Sequence, residues 1–173
     1  MSGTTKTVDV LLIVNADRLI ANPGDVAGSV SLVVSNDLVD KAATGNQLEG
    51  GNELWFDVNR NDNIRWRATT LSRNFDTTAL ITNVTQGPND QSQYQGIISQ
   101  PTFLTEYDVP VAYLIKQGNP PQTGATKVTL TEWQATAEKD GKLWYTIEFI
   151  LLDQESRQIG GTHTWDPYIT ING

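Results

Sequence analysis

One side chain in this sequence titrates near neutral pH in its ordinary state, the imidazole of His163. It stands between Thr162 and Thr164 in a segment with strand-like alternation. A nucleophilic triad would also need a serine at a glycine-flanked turn, and the sequence has none. The absence of cysteine removes thiolate nucleophiles, disulfide bonds and cysteine–zinc sites. We therefore expect His163 to be a structural strand residue, facing solvent or hydrogen-bonded to a neighbour.

From Asp57 to Asn63, every second residue has a side-chain oxygen, as at the start of a calcium-binding loop. The sixth position of such a loop would be Asp62 instead of glycine, and the twelfth would be Ala68 instead of glutamate. Asp and Asn before a strand also close tight turns through hydrogen bonds from the backbone to their side chains. We expect a turn here and no metal site, and the sequence indicates no cofactor.

Glycoside hydrolysis needs two carboxylic acids that face each other across a cleft. Several acids stand in or beside predicted strands: Asp57, Glu106, Asp108, Glu132 and Glu148. The sequence gives no distance between any two of them, and acids this frequent produce such sets by chance. We therefore predict a protein without catalytic residues, and a hydrolase is only a third hypothesis.

Aromatic residues form a more informative set, because the chain contains five tryptophans. Trp66 and Tyr145 lie on apolar stripes and are predicted to be core residues. Trp144 and Trp133 lie on other strand faces, where exposed rings would mark a binding surface. The loop from Gly87 to Gln95 places amide and carboxylate groups beside a tyrosine. The candidate ligand-binding residues are Asn89, Asp90, Tyr94 and Trp144.

The elements that must position these residues are strands, because period-two alternation dominates and no capped 3.6-residue period appears. Val8–Val14 and Val109–Ile115 are apolar on both faces, which is typical of central strands. Asn63–Thr70 alternates clearly, and Leu143–Leu151 is predicted to be one nine-residue strand. Further strands are predicted at 30–35, 53–58, 79–84, 94–99, 127–137 and 158–165. This pattern predicts an all-β fold, a single-domain antiparallel β-sandwich over residues 1–173, either jelly-roll-like or Greek-key.

The breaks between strands carry turn residues. Asp140-Gly141 is the strongest hairpin signal, because both central positions of that turn favour positive φ. Gly118–Pro121 marks another loop, and Asp153–Ser156 is predicted to connect two strands. The best helical candidate, Asn36–Ala43, is short and equally compatible with a turn.

The charge balance argues against a nucleic-acid partner, since 12 Lys and Arg against 20 Asp and Glu give a formal net charge of −8. The clustered arginines Arg60, Arg65, Arg67 and Arg73 are predicted to lie on a solvated strand face. The first residues show no secretory signal, and the longest apolar run near them, Val10–Val14, is too short to cross a bilayer. We expect a cytoplasmic protein with no membrane partner.

Three segments have a family likeness. Val8–Asp17 has the form of a first strand. Asp62–Arg67 is an aspartate followed by a strand in which arginine and an aromatic residue alternate. Trp165–Ile171 contains the motif Trp-Asp-Pro-x-Ile. Together they resemble the corresponding segments of the PixA/AidA family of bacterial inclusion-body proteins. The resemblance implies an abundant, cytoplasmic protein of host-associated bacteria, regulated by cell density or quorum, without established catalysis. It assigns no functional residues.

Two hypotheses follow. The leading one is a non-enzymatic protein that associates with itself, as a homo-oligomer or in dense intracellular deposits, through exposed apolar strand faces or pairable edges. The alternative is a carbohydrate-binding, lectin-like module that binds a glycan between polar loops and aromatic rings. Exposure of the face with Trp144, Ile150 and Leu152 would favour a partner interface.

Overall fold

The computed structural model describes residues 5–87 and 94–173, and in these residues the chain forms eleven strands and one short α-helix. The strands are β1 (Thr7–Asn15), β2 (Val30–Val33), β3 (Trp55–Asn59), β4 (Asn63–Leu71), β5 (Thr78–Thr85), β6 (Thr102–Lys116), β7 (Gln122–Thr136), β8 (Gly141–Trp144), β9 (Thr146–Leu152), β10 (Gln158–Trp165) and β11 (Tyr168–Asn172). The helix α1 spans Ala16–Ala21. No helix in the described ranges is long and apolar enough to span a membrane.

The strands form three sheets, with the orders β2-β1-β4-β7-β6, β10-β9-β5 and β3-β11-β8. Neighbouring strands are antiparallel except for β1 with β4 and β11 with β3, which are parallel. One hydrophobic cluster joins the inner faces of all three sheets, and within it the ring of Trp66 lies 5.5 Å from that of Tyr145. The predicted all-β, sandwich-like fold is confirmed, with two parallel pairs among the expected antiparallel ones.

The predicted central strand Val8–Val14 is confirmed as β1, which lies between β2 and β4. Its inward residues Val8, Val10, Leu12 and Val14 are buried, and the residues between them are half-buried or exposed. Because β1 is paired on both edges and its inner face meets the core, its apolar composition stabilises the sandwich.

The predicted nine-residue strand Leu143–Leu151 is wrong as one element, although its apolar stripe is buried throughout. The strand is interrupted at Tyr145. Before it, β8 pairs with β11, and after it, β9 pairs with β5 and β10. The buried stripe consists of Leu143, Tyr145, Ile147, Phe149 and Leu151. Alternation therefore specified which side chains face the core, while the sheet to which each half belongs depended on distant partners.

Two local predictions are also wrong. Asp140-Gly141 does not close a hairpin, because β7 and β8 belong to different sheets. The segment 94–99 is not a strand, and Ile98 forms an isolated bridge with Ala137, just past the end of β7. Of the two possibilities for Asn36–Ala43, a helix or a turn, the structure has the turn, a single 3-10 turn at Asn36–Leu38. By contrast, Asp153–Ser156 connects β9 to β10 as predicted.

The predicted central strand Val109–Ile115 is wrong in position, because it lies in β6 at the edge of the five-stranded sheet. β7 pairs with β4 only where Asn63–Trp66 meets Trp133–Thr136. Farther out, in the described residues, β6 and β7 pair only with each other, as far as Lys116 and Gln122. Nearly all of β6 is exposed. We call this two-stranded hairpin, Thr102–Thr136, the arm.

Candidate functional site

A row of aromatic side chains crosses the outer face of the β3–β11–β8 sheet. The strand registers place Tyr168 between Trp55 and Trp144. The rings of Trp144 and Tyr168 stack with centroids 5.7 Å apart and an interplanar angle of 15°. Lys142 Nζ lies 3.4 Å from the centre of the Trp55 ring and 4.7 Å from that of Tyr168. A cation over ring faces stabilises this arrangement, which we call the aromatic row.

The terminal Trp-Asp-Pro motif holds one end of the aromatic row in place. Trp144 Nε1 donates a hydrogen bond to the carbonyl of Asp166, and the amide of Tyr145 donates to the carbonyl of Pro167 at 3.1 Å. Trp165 Nε1 donates to the carbonyl of Asn52. Burial raises the pKa of the Asp166 carboxyl. The motif is therefore a turn that joins β10 to β11 and orients two indole rings.

A polar pocket of about 300 Å³ opens beside this turn. Its lining residues are Thr85, Gly87, Thr146, Glu148, Thr164, Trp165 and Asp166. The hydroxyl of Thr146 is buried and has no hydrogen-bond partner among the described residues. Tyr94 packs against Gly87, where an added Cβ would lie 2.4 Å from Tyr94 Cδ2 and where φ is +78°. Glycine at position 87 thus lets the Tyr94 ring lie against one wall of the pocket.

Two of the predicted ligand-binding residues, Tyr94 and Trp144, therefore lie in one region. Burial raises the pKa of the Tyr168 phenol, and the nearby groups of Glu53, Asp166 and Tyr94 raise it further. Trp144 is half-buried and Tyr94 is partly exposed. The other two predicted residues, Asn89 and Asp90, lie outside the described residues.

A pair of acids also lies on this sheet face, and sequence reasoning missed it. Burial first, and then contact with the Asp40 carboxyl, raises the pKa of Asp57 to about 6. Thr170 accepts a hydrogen bond from Trp55 Nε1 at 2.8 Å and donates one to Asp40 Oδ2 at 3.2 Å. Asp40 stands in the loop before β3, and its amide donates a hydrogen bond to the carbonyl of Trp55 at 2.9 Å, which holds the loop against that strand. The neighbouring carboxyl group thus favours the protonated form of Asp57.

The other predicted acids are dispersed over the molecule. Asp108 lies on the arm, 3.6 Å from Lys127 Nζ, and Glu132 lies at the arm's root, 3.6 Å from Arg65. Glu148 lines the polar pocket. Each clustered arginine lies beside an acid: Arg60 with Asp140, Arg65 with Asp9, Arg67 with Asp9, and Arg73 with Asp17. The predicted solvated strand face therefore holds for Arg65 and Arg67 in β4, whereas Arg60 and Arg73 lie outside the strands.

His163 and the Asp57–Asn63 segment both have structural roles. His163 is buried, its ring lies 5.4 Å from that of Phe149, and burial lowers its pKa. The expectation that it faces solvent or a hydrogen-bonding neighbour is wrong, because β10 turns it toward the core. Asp62 accepts hydrogen bonds from the amides of Lys6 and Asn59, both at 2.9 Å, and so closes the predicted turn.

The arm provides a second candidate surface. Of the twelve large apolar side chains exposed in the described residues, eight belong to it. They are Phe103, Leu104, Tyr107, Val111, Tyr113, Leu114, Ile115 and Leu130. A cleft of about 380 Å³ lies at the arm's root, where β7 diverges from β4, between Leu11, Arg67 and Leu130. Soluble monomers rarely expose so many large apolar side chains in one element, so the arm is a candidate interaction surface.

Comparisons with known proteins agree on one family. A family model described as "PixA: Inclusion body protein" matches residues 6–171. The crystal structure of an inclusion body protein (PixA) from Burkholderia cenocepacia J2315 superimposes with a TM-score of 0.70 at 15% identity, covering 99% of each chain. The solution structure of amebosin matches with a TM-score of only 0.30 at 10% identity, covering 70% of this chain and 90% of amebosin, and supports no argument. No curated protein matches the sequence.

Proposed function

The chain belongs to the PixA family of inclusion body proteins, and from this premise we propose that it is a non-enzymatic protein that associates with itself. In this proposal, copies form homo-oligomers and then dense deposits in the bacterial cytoplasm. The observation that carries the proposal is the concentration of exposed apolar side chains on the arm, with Tyr107 at 73% and Phe103 at 61% exposure. Self-contact would remove this surface from water.

The charge of the chain supports assembly by apolar contact. Each copy carries a formal net charge of −8, so copies repel one another at a distance and stay dispersed at low concentration. Short-range burial of apolar side chains overcomes this repulsion only when copies are abundant. The same negative charge disfavours nucleic acid and anionic membranes as partners. Concentration would then control assembly.

Sedimentation equilibrium across micromolar to millimolar protein tests the proposal. We expect the weight-average mass to rise with concentration, because apolar surface is buried in each contact. A monomer mass throughout this range would contradict it. In cells, the untagged chain should sediment with a dense fraction when it is abundant and remain in the supernatant when it is scarce.

The resemblance to PixA/AidA proteins extends the proposal to expression. We propose that the chain accumulates as cell density rises or during association with a host. Immunoblotting across a growth curve tests this, and a constant level from early to late culture would contradict it.

A glycan is the second candidate partner, favoured by the position of Tyr94 and Trp144 near the polar pocket. Sugar rings bind where aromatic faces adjoin hydroxyl and carboxylate groups, and this pocket has Thr85, Thr164 and Glu148 in its lining. A glycan array with wild-type protein and with Trp144→Ala tests the idea. Binding lost in that variant but kept in Tyr113→Ala, on the arm, would support it; an array without hits would contradict it.

A further inference from the structure

We propose that the arm packs against the arm of a second copy of this chain, face to face and antiparallel, around a twofold axis near Val109 and Val128. The inference rests on the proposed self-association and names the surface and symmetry that carry it. A twofold contact uses the same patch on both copies, so that patch must be complementary to itself. On one face of the arm, apolar residues continue from the root through the middle to the tip.

Cross-strand pairing defines that face. Val109 pairs with Val128, Glu106 with Leu130, and Leu104 with Glu132. Residues paired across neighbouring strands lie on one side of a sheet, and alternate residues share it. One side of the arm therefore carries Leu104, Val109, Val111, Tyr113, Val128 and Leu130, which we call the apolar face. The opposite side carries Phe103 and Trp133 at the root and Leu114 near the tip, with threonine, alanine and Lys127 between them.

The edge of β6 is poorly suited to pairing with another strand. Between Glu106 and Val109 the register shifts at a β-bulge, where Asp108 adopts a positive φ of 59°. Pro110 follows directly and has no amide hydrogen to donate. Bulges and prolines are devices that prevent edge-to-edge pairing in natural sheets. Association through the apolar face is therefore favoured over extension of the sheet along β6.

The apolar face is complementary to itself when two copies run antiparallel. Val109 and Val128 lie midway along it, between Leu104 near the root and Tyr113 near the tip. A twofold axis at this midpoint brings the Tyr113 ring of each copy onto Leu104 and Leu130 of the other. Two acids on this side, Glu106 and Glu132, lie toward the root, where Glu132 is buried beside Arg65, and Lys116 lies at the tip. Antiparallel packing brings each Lys116 to the Thr102–Gln134 pair of the other copy, next to Glu132, so the charges do not oppose the contact.

Gly124 shapes the tip of the apolar face. It pairs with Tyr113, and an added Cβ at position 124 would lie 2.6 Å from Tyr113 Cζ. Glycine therefore lets the Tyr113 ring lie flat across β7 while 54% of the residue remains exposed. The result is a broad, level aromatic surface, which suits packing against the flat arm of a second copy.

The size of the face is compatible with a reversible contact. A two-stranded ribbon from Leu104 to Tyr113 is about 30 Å long and 10 Å wide, and its side chains present roughly 400 Å² per copy. Two such faces bury about 800 Å² together, which is in the range of weak, transient contacts and below that of stable complexes. A contact of this size predicts an equilibrium that responds to protein concentration.

Substitution on the two sides of the arm tests which face is used. Val128→Glu places a charge at the proposed axis, and Ala125→Glu places the same charge on the opposite, exposed side of the same strand. We expect Val128→Glu to raise the dimer dissociation constant at least tenfold in sedimentation equilibrium, with Ala125→Glu within about twofold of wild type. Circular dichroism of both variants verifies that the sandwich is folded. Equal effects of the two substitutions would overturn the inference.

Cross-linking tests the same contact without a substitution that weakens the dimer. The chain contains no cysteine, so Val128→Cys and Ala125→Cys each introduce one unique thiol. A bismaleimide that spans about 10 Å, the distance between packed sheets, should link Val128→Cys into dimers and leave Ala125→Cys mainly monomeric. If wild type associates but Val128→Cys is not linked, the arm inference fails while self-association stands. If wild type stays monomeric, both fail.

Discussion

At the residue scale, the contact between Asp57 and Asp40 makes stability depend on pH. Burial and the neighbouring Asp40 carboxyl raise the pKa of Asp57 from 3.8 to about 6. The native state therefore holds this proton more tightly than the unfolded state does between these two values. By linkage, the contribution of this group to native stability is present below pH 3.8 and is lost as pH rises to about 6.

Asp57→Asn should remove that dependence, because the amide stays neutral at all pH values. We expect the free energy of unfolding to rise by about 1 kcal/mol above pH 6 and to change little at pH 4; the value is reduced for the partial solvation of Asp57. Urea unfolding at pH 4 and pH 8 measures it. Asp108→Asn, on the exposed arm, is the control and should leave the difference between the two pH values unchanged. A loss of stability in Asp57→Asn at pH 8 would contradict the argument.

At the element scale, the arm contributes little to the buried core. In β6 the residue Val109 is half-buried and all others are exposed, and β7 becomes buried only near its end, at Glu132 and Ala135. Trp133 is the anchor, since its Nε1 donates to the carbonyl of Ile81 at 3.0 Å and its ring lies 5.8 Å from that of Phe103. The stability of the arm beyond this anchor depends mainly on pairing between its own two strands.

Shortening the arm should therefore leave the sandwich folded. Because Glu106 pairs with Leu130, replacing residues 107–129 with Asn-Gly would close a two-residue hairpin at that pair. We expect the melting temperature to change by no more than about 5 °C and concentration-dependent association to be lost. Thermal circular dichroism and sedimentation equilibrium measure the two effects. An unfolded product would show that the arm is part of the folding core.

At the scale of the whole molecule, the net charge opposes assembly while apolar contact drives it. Copies that each carry −8 repel one another, and this repulsion is screened within about 10 Å at 0.1 M salt. The proposed contacts between Lys116 and acids lie at the rim, where ion pairs contribute little. Screening should thus strengthen association more than it weakens these pairs.

We accordingly expect the dimer dissociation constant to fall severalfold between low salt and about 0.5 M sodium chloride. Sedimentation equilibrium at several salt concentrations measures it. Lys116→Gln is the matched control, because it removes the rim pair and should show a similar or larger fall. Weaker association at high salt would mean that charge attraction, and not apolar burial, holds the copies together.

The sequence by itself determined which side chains face inward within each strand. Period-two alternation correctly predicted an all-β sandwich-like fold, the buried stripe from Leu143 to Leu151, and the core positions of Trp66 and Tyr145. These properties are local, since alternate residues of a strand always lie on opposite faces. The terminal Trp-Asp-Pro motif was similarly readable, and the family match over residues 6–171 confirms the resemblance that it indicated.

Only the tertiary structure decided what lies opposite each face. Val8–Val14 and Val109–Ile115 have the same apolar character, yet the first is a central strand and the second is an exposed edge of the arm. The contact between Asp40 and Asp57 likewise depends on the path of a loop. Alternation sets the direction of a side chain, whereas its burial depends on whether another layer of chain is placed over it. In the arm, we infer that this layer comes from a second copy.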